Sequence, residues 1–402
     1  MKASSDILKN RWRTLVVSCF INLCIGSMYA WSVLAAPMAE VLQVKSVSMA
    51  FSMANMVAFI SIILGGILSA KFSPRKVICV GGILFGMGMF LCGFAHSVKE
   101  LVIFYGVILG FGMSFVYGNT IGNTIKLFPD RRGMIGGLTT ASYGISSVII
   151  SPIANYLNNR VGVRNSFFIL GIVFMIIIIS GSFFIVEYPD DFLKHFPSSS
   201  IDAAINREKD KTPLEMVQMP IFYKLLLILT CGGTFGMMVI SSARTLAVDI
   251  TGVSAGTASI LVSVLCLFNT VGRILAGTLS DYLGRMKTIR AVMLIAVLGL
   301  MSLLISSYNG SAVYYVIGII LVGLCFGTFM GVFPGLCTDR FGEKYNIINY
   351  GIMWIGISAA GLIGPKILDT VYIMRGRYSE SFIFAIVLAF VGLGWAFCIK
   401  DQ

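Results

Sequence analysis

Charge and histidine are what this chain has least of: across 402 residues, 12% are Asp, Glu, Lys or Arg, and two are histidine, His96 and His195. The two histidines fall in different connections with no thiol or carboxylate at ligand spacing, so no metal site is expected. Nine cysteines are present (Cys19, Cys24, Cys79, Cys92, Cys231, Cys266, Cys325, Cys337, Cys398), but none forms a C-x-x-C pair. Most sit inside apolar runs, where they read as small packing residues rather than a disulfide framework. The strings G-x-x-x-x-G-K-[ST] and H-E-x-x-H do not occur, which removes the usual signatures of ATP-driven pumping and zincin chemistry. No acid, base and nucleophile stand together, so neither enzyme activity nor a cofactor is expected.

What fills the chain instead is apolar: 57% of residues are hydrophobic and the mean hydropathy is +0.90, beyond what a water-facing surface tolerates. A membrane span needs about 20 mostly apolar residues. Twelve runs qualify, at 12–37, 47–70, 76–95, 100–127, 133–157, 164–186, 220–249, 254–279, 287–307, 312–336, 345–368 and 378–399. Barrel strands would be half as long and would alternate, so the expected class is an all-α membrane protein with twelve transmembrane helices. The first run has no small-residue cleavage site and reads as a retained helix. Residues 187–219, Glu187-Tyr-Pro-Asp-Asp through Thr212-Pro213, are polar and form the one long connection. They divide the chain into an N-terminal six-helix bundle (1–186), a linker (187–219) and a C-terminal six-helix bundle (220–402).

Most cations collect in alternate connections: Lys2, Lys9, Arg11 and Arg13; Lys71, Arg75 and Lys76; Lys126, Arg131 and Arg132; Arg285, Lys287 and Arg290; Arg340 and Lys344. The opposite connections hold Lys45, Lys99, Arg160, Arg164, Lys366, Arg375 and Arg377. The positive-inside rule therefore expects both termini and the linker in the cytoplasm. The net charge of +12 is then topological. It does not mark a nucleic-acid partner, since no soluble basic patch interleaved with aromatics exists.

The two halves echo each other. Phe128-Pro129-Asp130-Arg131-Arg132-Gly133 is matched by Phe333-Pro334 followed by Asp339-Arg340-Phe341-Gly342, and Gly66 through Ser73-Pro74-Arg75-Lys76 by Gly277 through Asp281-Tyr282-Leu283-Gly284-Arg285. Each pair is separated by about half the chain, as a duplicated six-helix unit requires, and the two bundles are expected to be pseudo-symmetric with a binding site near the midplane.

Arg273 is the anomaly in this pattern, lying inside the otherwise uncharged run Thr257–Gly277. A cation in hydrocarbon costs roughly 3 kcal/mol or more unless it meets a polar cavity or a partner. Eight residues at 1.5 Å each place it about 12 Å from the end marked by Asp281, near the middle of a core about 30 Å thick. A guanidinium is a planar fork that matches a carboxylate, so Arg273 reads as an anion anchor. The alternatives are that it snorkels or bonds backbone carbonyls. Asn269 and Gly277 stand four residues to either side on the same face, Asn269 to donate to substrate and Gly277 to leave room. Segments one to six hold no mid-span acid to pair with it.

Gly277-x-x-x-Asp281-x-x-Gly284-Arg285 resembles the intracellular-loop motif of the major facilitator superfamily. The likeness implies a gating latch, with a weaker copy where Ala70 and Ser73 replace Asp and Gly. A capped tight turn without gating importance is the alternative. Four further strings resemble the oxalate/formate antiporter family, which includes bacterial lactate transporters: Tyr29-Ala-Trp31-Ser32-Val-Leu-Ala-Ala-Pro37, Lys126 through Gly133, Thr212 through Tyr223, and Asn349-Tyr350-Gly351 through Gly364-Pro365. The resemblance implies the major facilitator fold and a carboxylate substrate surrounded by aromatics. Tyr29 and Tyr117 are the stronger candidates, Tyr143, Phe326 and Trp354 complete the set, and packing is the alternative for these and for Trp31. Where the oxalate carrier has a second cation three residues after a tryptophan, this chain has Ile357, which favours a monocarboxylate over a dianion. In lactate-transporting relatives an acid on segment seven is proposed to carry a proton. Asp249 matches it, although Ser242 replaces the histidine seven residues earlier and Arg244 offers a purely structural partner.

The expectation is thus a monomeric secondary transporter in a plasma or bacterial inner membrane, moving lactate, pyruvate or formate by proton symport or anion exchange. An oxalate/formate-type dicarboxylate antiporter, a facilitator of neutral solutes with Arg273 structural, and a non-transporting carboxylate sensor are the alternatives. The expected partners are a small carboxylate anion, a proton in the symport case, and membrane lipid.

Overall fold

The computed structural model describes residues 2–44, 47–187 and 210–399, so residues 188–209 of the expected linker, His195 among them, and Lys45 lie outside the described residues. The described chain is α-helical without strands. Eleven helical runs are long and apolar enough to cross a membrane, and one of them, Arg132–Ser182, is two helices meeting at Gly162 (φ 82°, ψ 161°). The twelve crossing helices are α1 (Asn10–Ala30), α2 (Ser48–Phe72), α3 (Pro74–Cys92), α4 (Val98–Lys126), α5 (132–161), α6 (163–182), α7 (Pro220–Thr251), α8 (Gly256–Leu283), α9 (Arg285–Asn309), α10 (Ala312–Phe341), α11 (Asn346–Arg375) and α12 (Ser379–Phe397).

The punctuation is local chemistry. Pro74 and Pro220 stand at the first turn of α3 and α7, where a missing N–H costs nothing. Gly252, Gly310 and Gly376 close α7, α9 and α11 in the left-handed conformation, each N–H returning to a carbonyl four residues back. Three helices depart from the regularity that hydropathy suggests. The α1 run tightens to 3₁₀ over Gly26–Ala30 before continuing as helix Trp31–Val41. α4 widens to a π-helix over Val102–Leu109, and α11 is interrupted at Trp354. At the first of these, the space beside Gly26 is filled by the carbonyl of Tyr143 on α5.

Contacts group the residues into two compact units. Unit 1 comprises Met1–Ile135, Ser142–Pro213 and Cys337–Ile352; unit 2 comprises Gly136–Ala141, Leu214–Leu336 and Met353–Gln402. Each takes in a short piece of chain from the far side of the linker.

Unit 1 is organised around α4, which is buried without interruption from Met113 through Ile125 despite carrying asparagine and threonine. Several of those polar groups find partners elsewhere in unit 1. The Thr120 hydroxyl donates to Asn22 Oδ1 at 3.1 Å, Ser18 and Thr124 share a 3.0 Å bond, and Asn123 Nδ2 donates to the Val186 carbonyl at 2.8 Å. Interhelical bonds of this kind contribute about 0.6 kcal/mol each in a bilayer. The stripe therefore serves to fix register as much as to stabilise.

In unit 2, α8 and α10 cross with their backbones close together. A Cβ at Gly327 would lie 2.8 Å from the Asn269 carbonyl carbon and 3.1 Å from the Arg273 nitrogen, and one at Gly331 2.5 Å from the Arg273 oxygen. Small residues at this spacing let the backbones touch. That contact sets where Arg273 stands.

Candidate functional site

Arg273 is 2% exposed. Its Nε donates to Asn269 Oδ1 at 2.9 Å, one helical turn away, and its Nη1 donates to the Thr140 carbonyl oxygen at 2.7 Å. Among the described residues no carboxylate lies within ion-pair distance, and Nη2 makes no hydrogen bond. The guanidinium is therefore held in place without being neutralised. Because buried cations are ordinarily paired with acids, this arrangement leaves a positive charge that an anion would stabilise.

Two neighbours shape the surroundings of the guanidinium. Asn269 turns its oxygen, not its amide, toward Arg273, and Nδ2 has no partner among the described residues. Gly277 is approached by backbone: a Cβ on Gly137 of α5 would come within 3.4 Å of the Gly277 Cα. A glycine on each helix allows this approach, which also brings the Thr140 carbonyl to Arg273.

Phe326, 2% exposed, packs against Gly236 of α7 in unit 2. Trp354 is half-buried at the break in α11. The three tyrosines come together in unit 1, where the Tyr143 ring stands 5.1 Å from Tyr29 and 5.1 Å from Tyr117, edge to face in both cases. Tyr29 is 40% exposed while Tyr117 and Tyr143 are buried at 3% and 8%, so the group presents one accessible phenol backed by two enclosed ones. Trp31 is buried against Tyr105, with ring centroids 4.0 Å apart.

Asp249 stands exposed in the last turn of α7 and accepts a 2.7 Å hydrogen bond from the Tyr378 hydroxyl at the start of α12. Arg244 is not its partner among the described residues. Burial, followed by the bond to the Asp249 carboxylate, pushes the Tyr378 phenol above its ordinary range. Tyr372 stacks on Tyr378 at 4.4 Å, completing a clasp that joins the end of α7 to the turn ahead of α12.

In the loop motif, Gly284 adopts φ 95° and ψ 147° and is the single residue between α8 and α9. Asp281 pairs with Arg285 at 2.7 Å. Arg285 also bonds the Ser280 hydroxyl, and its guanidinium lies beside Gly335 of α10. The first-half copy has the same backbone: Ser73, between α2 and α3, takes φ 119° and ψ 148°, a region that is nearly glycine-only.

Sequence reasoning missed one buried charge network. Arg132 at the start of α5 is 2% exposed and pairs with Asp339 at 2.8 Å and with Glu343. Both strings stood out as repeats of one another, yet nothing in their spacing showed that one copy grips the other. Their polar neighbourhood is continued by Asp210, whose carboxylate accepts the backbone N–H groups of Glu343 at 2.8 Å and Lys344 at 3.2 Å.

The chain matches the family described as Major Facilitator Superfamily over residues 14–365. It is 27% identical to the oxalate:formate antiporter of Oxalobacter formigenes over 98% of this chain and 92% of that protein. It is 25% identical to monocarboxylate transporter 13 of Rattus norvegicus over 82% of this chain and 74% of that one. Among solved structures, the fucose:proton symporter FucP of E. coli superposes with a TM-score of 0.72 at 16% identity, covering 96% of this chain and 98% of FucP.

Proposed function

Because the chain belongs to the major facilitator superfamily, and is on that ground a multi-pass membrane transporter rather than an enzyme, we propose that it carries small organic monocarboxylates of the lactate, pyruvate or formate kind by alternating access. The observation that supports this reading is Arg273, a buried guanidinium held by an amide oxygen and a carbonyl with no acid among the described residues to neutralise it. A carboxylate arriving at its fork converts an expensive buried charge into a strong pair. One cation matches one negative charge, in keeping with Ile357 where the oxalate carrier has a second cation.

Asn269 would offer its unengaged amide to the substrate, with Phe326 and Trp354 as further binding residues of unit 2. Tyr29, Tyr117 and Tyr143 would supply a phenol donor and its packing. Asp249 is the candidate for proton coupling in a symport cycle; anion exchange needs no such group. Gly277, Asp281, Gly284 and Arg285 would form a gating latch. The proposed organisation is two six-helix domains, 1–186 and 220–402, joined by the linker 187–219. The protein would act as a monomer in a plasma or inner membrane with both termini cytoplasmic.

A second reading is favoured by one observation: the Thr140 and Asn269 oxygens already occupy two of the guanidinium's donors, as a structural arginine in a neutral-solute facilitator would require. Uptake of labelled lactate, pyruvate, formate and oxalate into proteoliposomes separates the two. Under the proposal Arg273→Gln abolishes monocarboxylate uptake while the protein still folds, and oxalate is the poorest of the four substrates. Parental uptake rates in the Gln variant would remove Arg273 as the anchor.

A further inference from the structure

Unit 2 carries a cleft that the transport reading does not use. It has a volume of about 450 Å³ and lies where α7 begins and α12 ends, lined by Gln218, Pro220, Tyr223, Lys224, Leu227 and Trp395. Tyr223, Leu227 and Trp395 are 58%, 37% and 40% exposed. In a chain that crosses the membrane twelve times, exposed apolar walls of this kind on crossing helices face lipid. Tyrosine and tryptophan at a helix end mark the headgroup level.

The polar groups in the cleft are all compatible with an anion. Lys224, one turn into α7, has no hydrogen-bond or ion-pair partner among the described residues. Gln218 precedes α7, and the indole and phenol of Trp395 and Tyr223 are donors. Among the described residues no carboxylate lines the cleft. Arg290 adds positive charge nearby by donating to the carbonyls of Ala396 at 3.1 Å and Ile399 at 2.6 Å, at the end of α12 that bears Trp395.

We infer that this cleft binds the headgroup of an anionic phospholipid from the leaflet where α7 begins and α12 ends. The phosphate would meet Lys224 and the Gln218 amide, and the first acyl carbons would lie along Leu227 and Trp395. The inference rests on the membrane assignment and not on the carboxylate reading.

The test is native mass spectrometry of the delipidated full-length protein, titrated with phosphatidylglycerol and, separately, with phosphatidylcholine. The parent should bind phosphatidylglycerol in preference. Lys224→Gln should weaken that binding about fivefold, the ratio expected for loss of one lysine near a membrane surface, and leave phosphatidylcholine binding unchanged. Lys224→Arg should retain it. Lys287→Gln, which removes an exposed cation at the start of α9, should have no effect, and Arg273→Gln should bind lipid like the parent even if carboxylate transport is lost. Equal binding of the two lipids by the parent, equal losses in Lys224→Gln and Lys287→Gln, or displacement of phosphatidylglycerol by inorganic phosphate at the same concentration would each overturn the inference.

Discussion

The α8/α10 crossing gives the sharpest structural prediction, because it ties a packing contact to the candidate anchor. A Cβ introduced at Gly327 would stand 2.8 Å from the carbonyl carbon of Asn269 and 3.1 Å from the Arg273 nitrogen, against backbone that has no rotamer to change. Carbon atoms in contact prefer about 3.5–4.0 Å, so Gly327→Ala must part the helices by about 1 Å. Overpacking of this kind costs typically about 1–3 kcal/mol. The shift falls on the residues that carry the guanidinium, so the bond from Arg273 to Thr140 should lengthen as well. Gly361 on α11 supplies the control: it is helical, and nothing lies within 4 Å of where its Cβ would be. Gly361→Ala should therefore be neutral or stabilising by up to about 1 kcal/mol through helix propensity. The assay is thermal unfolding of the detergent-solubilised protein with and without lactate. Gly327→Ala should unfold several degrees below the parent and show a diminished lactate-dependent shift, while Gly361→Ala should match or exceed the parent in both. If Gly327→Ala keeps the parental midpoint, the helices are not as close as the geometry requires and the anchor's placement must be argued anew.

Two further outcomes follow from unit 1. Arg132→Gln leaves Asp339 and Glu343 facing each other without their cation, and should cost about 2–3 kcal/mol, below the range for a fully buried pair because the two carboxylates remain 21% and 17% exposed. Urea or thermal unfolding should show Arg132→Gln/Asp339→Asn to be less destabilised than the sum of its single changes, and strict additivity would refute the pairing. Ser73→Gly should raise stability by about 1 kcal/mol, since it relieves about 1–3 kcal/mol of strain at φ 119° against the greater freedom of glycine in the unfolded chain. An unchanged or lower unfolding midpoint would mean that serine is unstrained there.

How much was legible beforehand depends on the kind of information. Crossing segments were readable because hydrocarbon demands about 20 apolar residues in a row, which any stretch of sequence displays by itself. Gly252, Gly310 and Gly376 end helices where glycine permits the left-handed turn, again a local property. Irregularities inside helices were not readable. The 3₁₀ stretch at Gly26 accompanies the approach of the Tyr143 carbonyl from α5, and an apolar run gives no sign of that. The candidate site divides along the same line. Arg273 stood out because a charge in an apolar run is conspicuous, and the tyrosines were named because aromatics of that family surround a substrate. That Tyr143 sits against both Tyr29 and Tyr117 needed coordinates.

The sequence alone settles that this is a helical membrane chain with duplicated motifs and a lone cation deep in one span, since hydrophobicity, length and residue type are properties of each segment taken separately. Partners are another matter. Arg273 reaches a carbonyl 133 positions away, Arg132 an acid 207 positions away, and Asp249 a phenol 129 positions away. Those choices depend on which helix faces meet and how closely glycines let them approach, and only the folded chain holds that information.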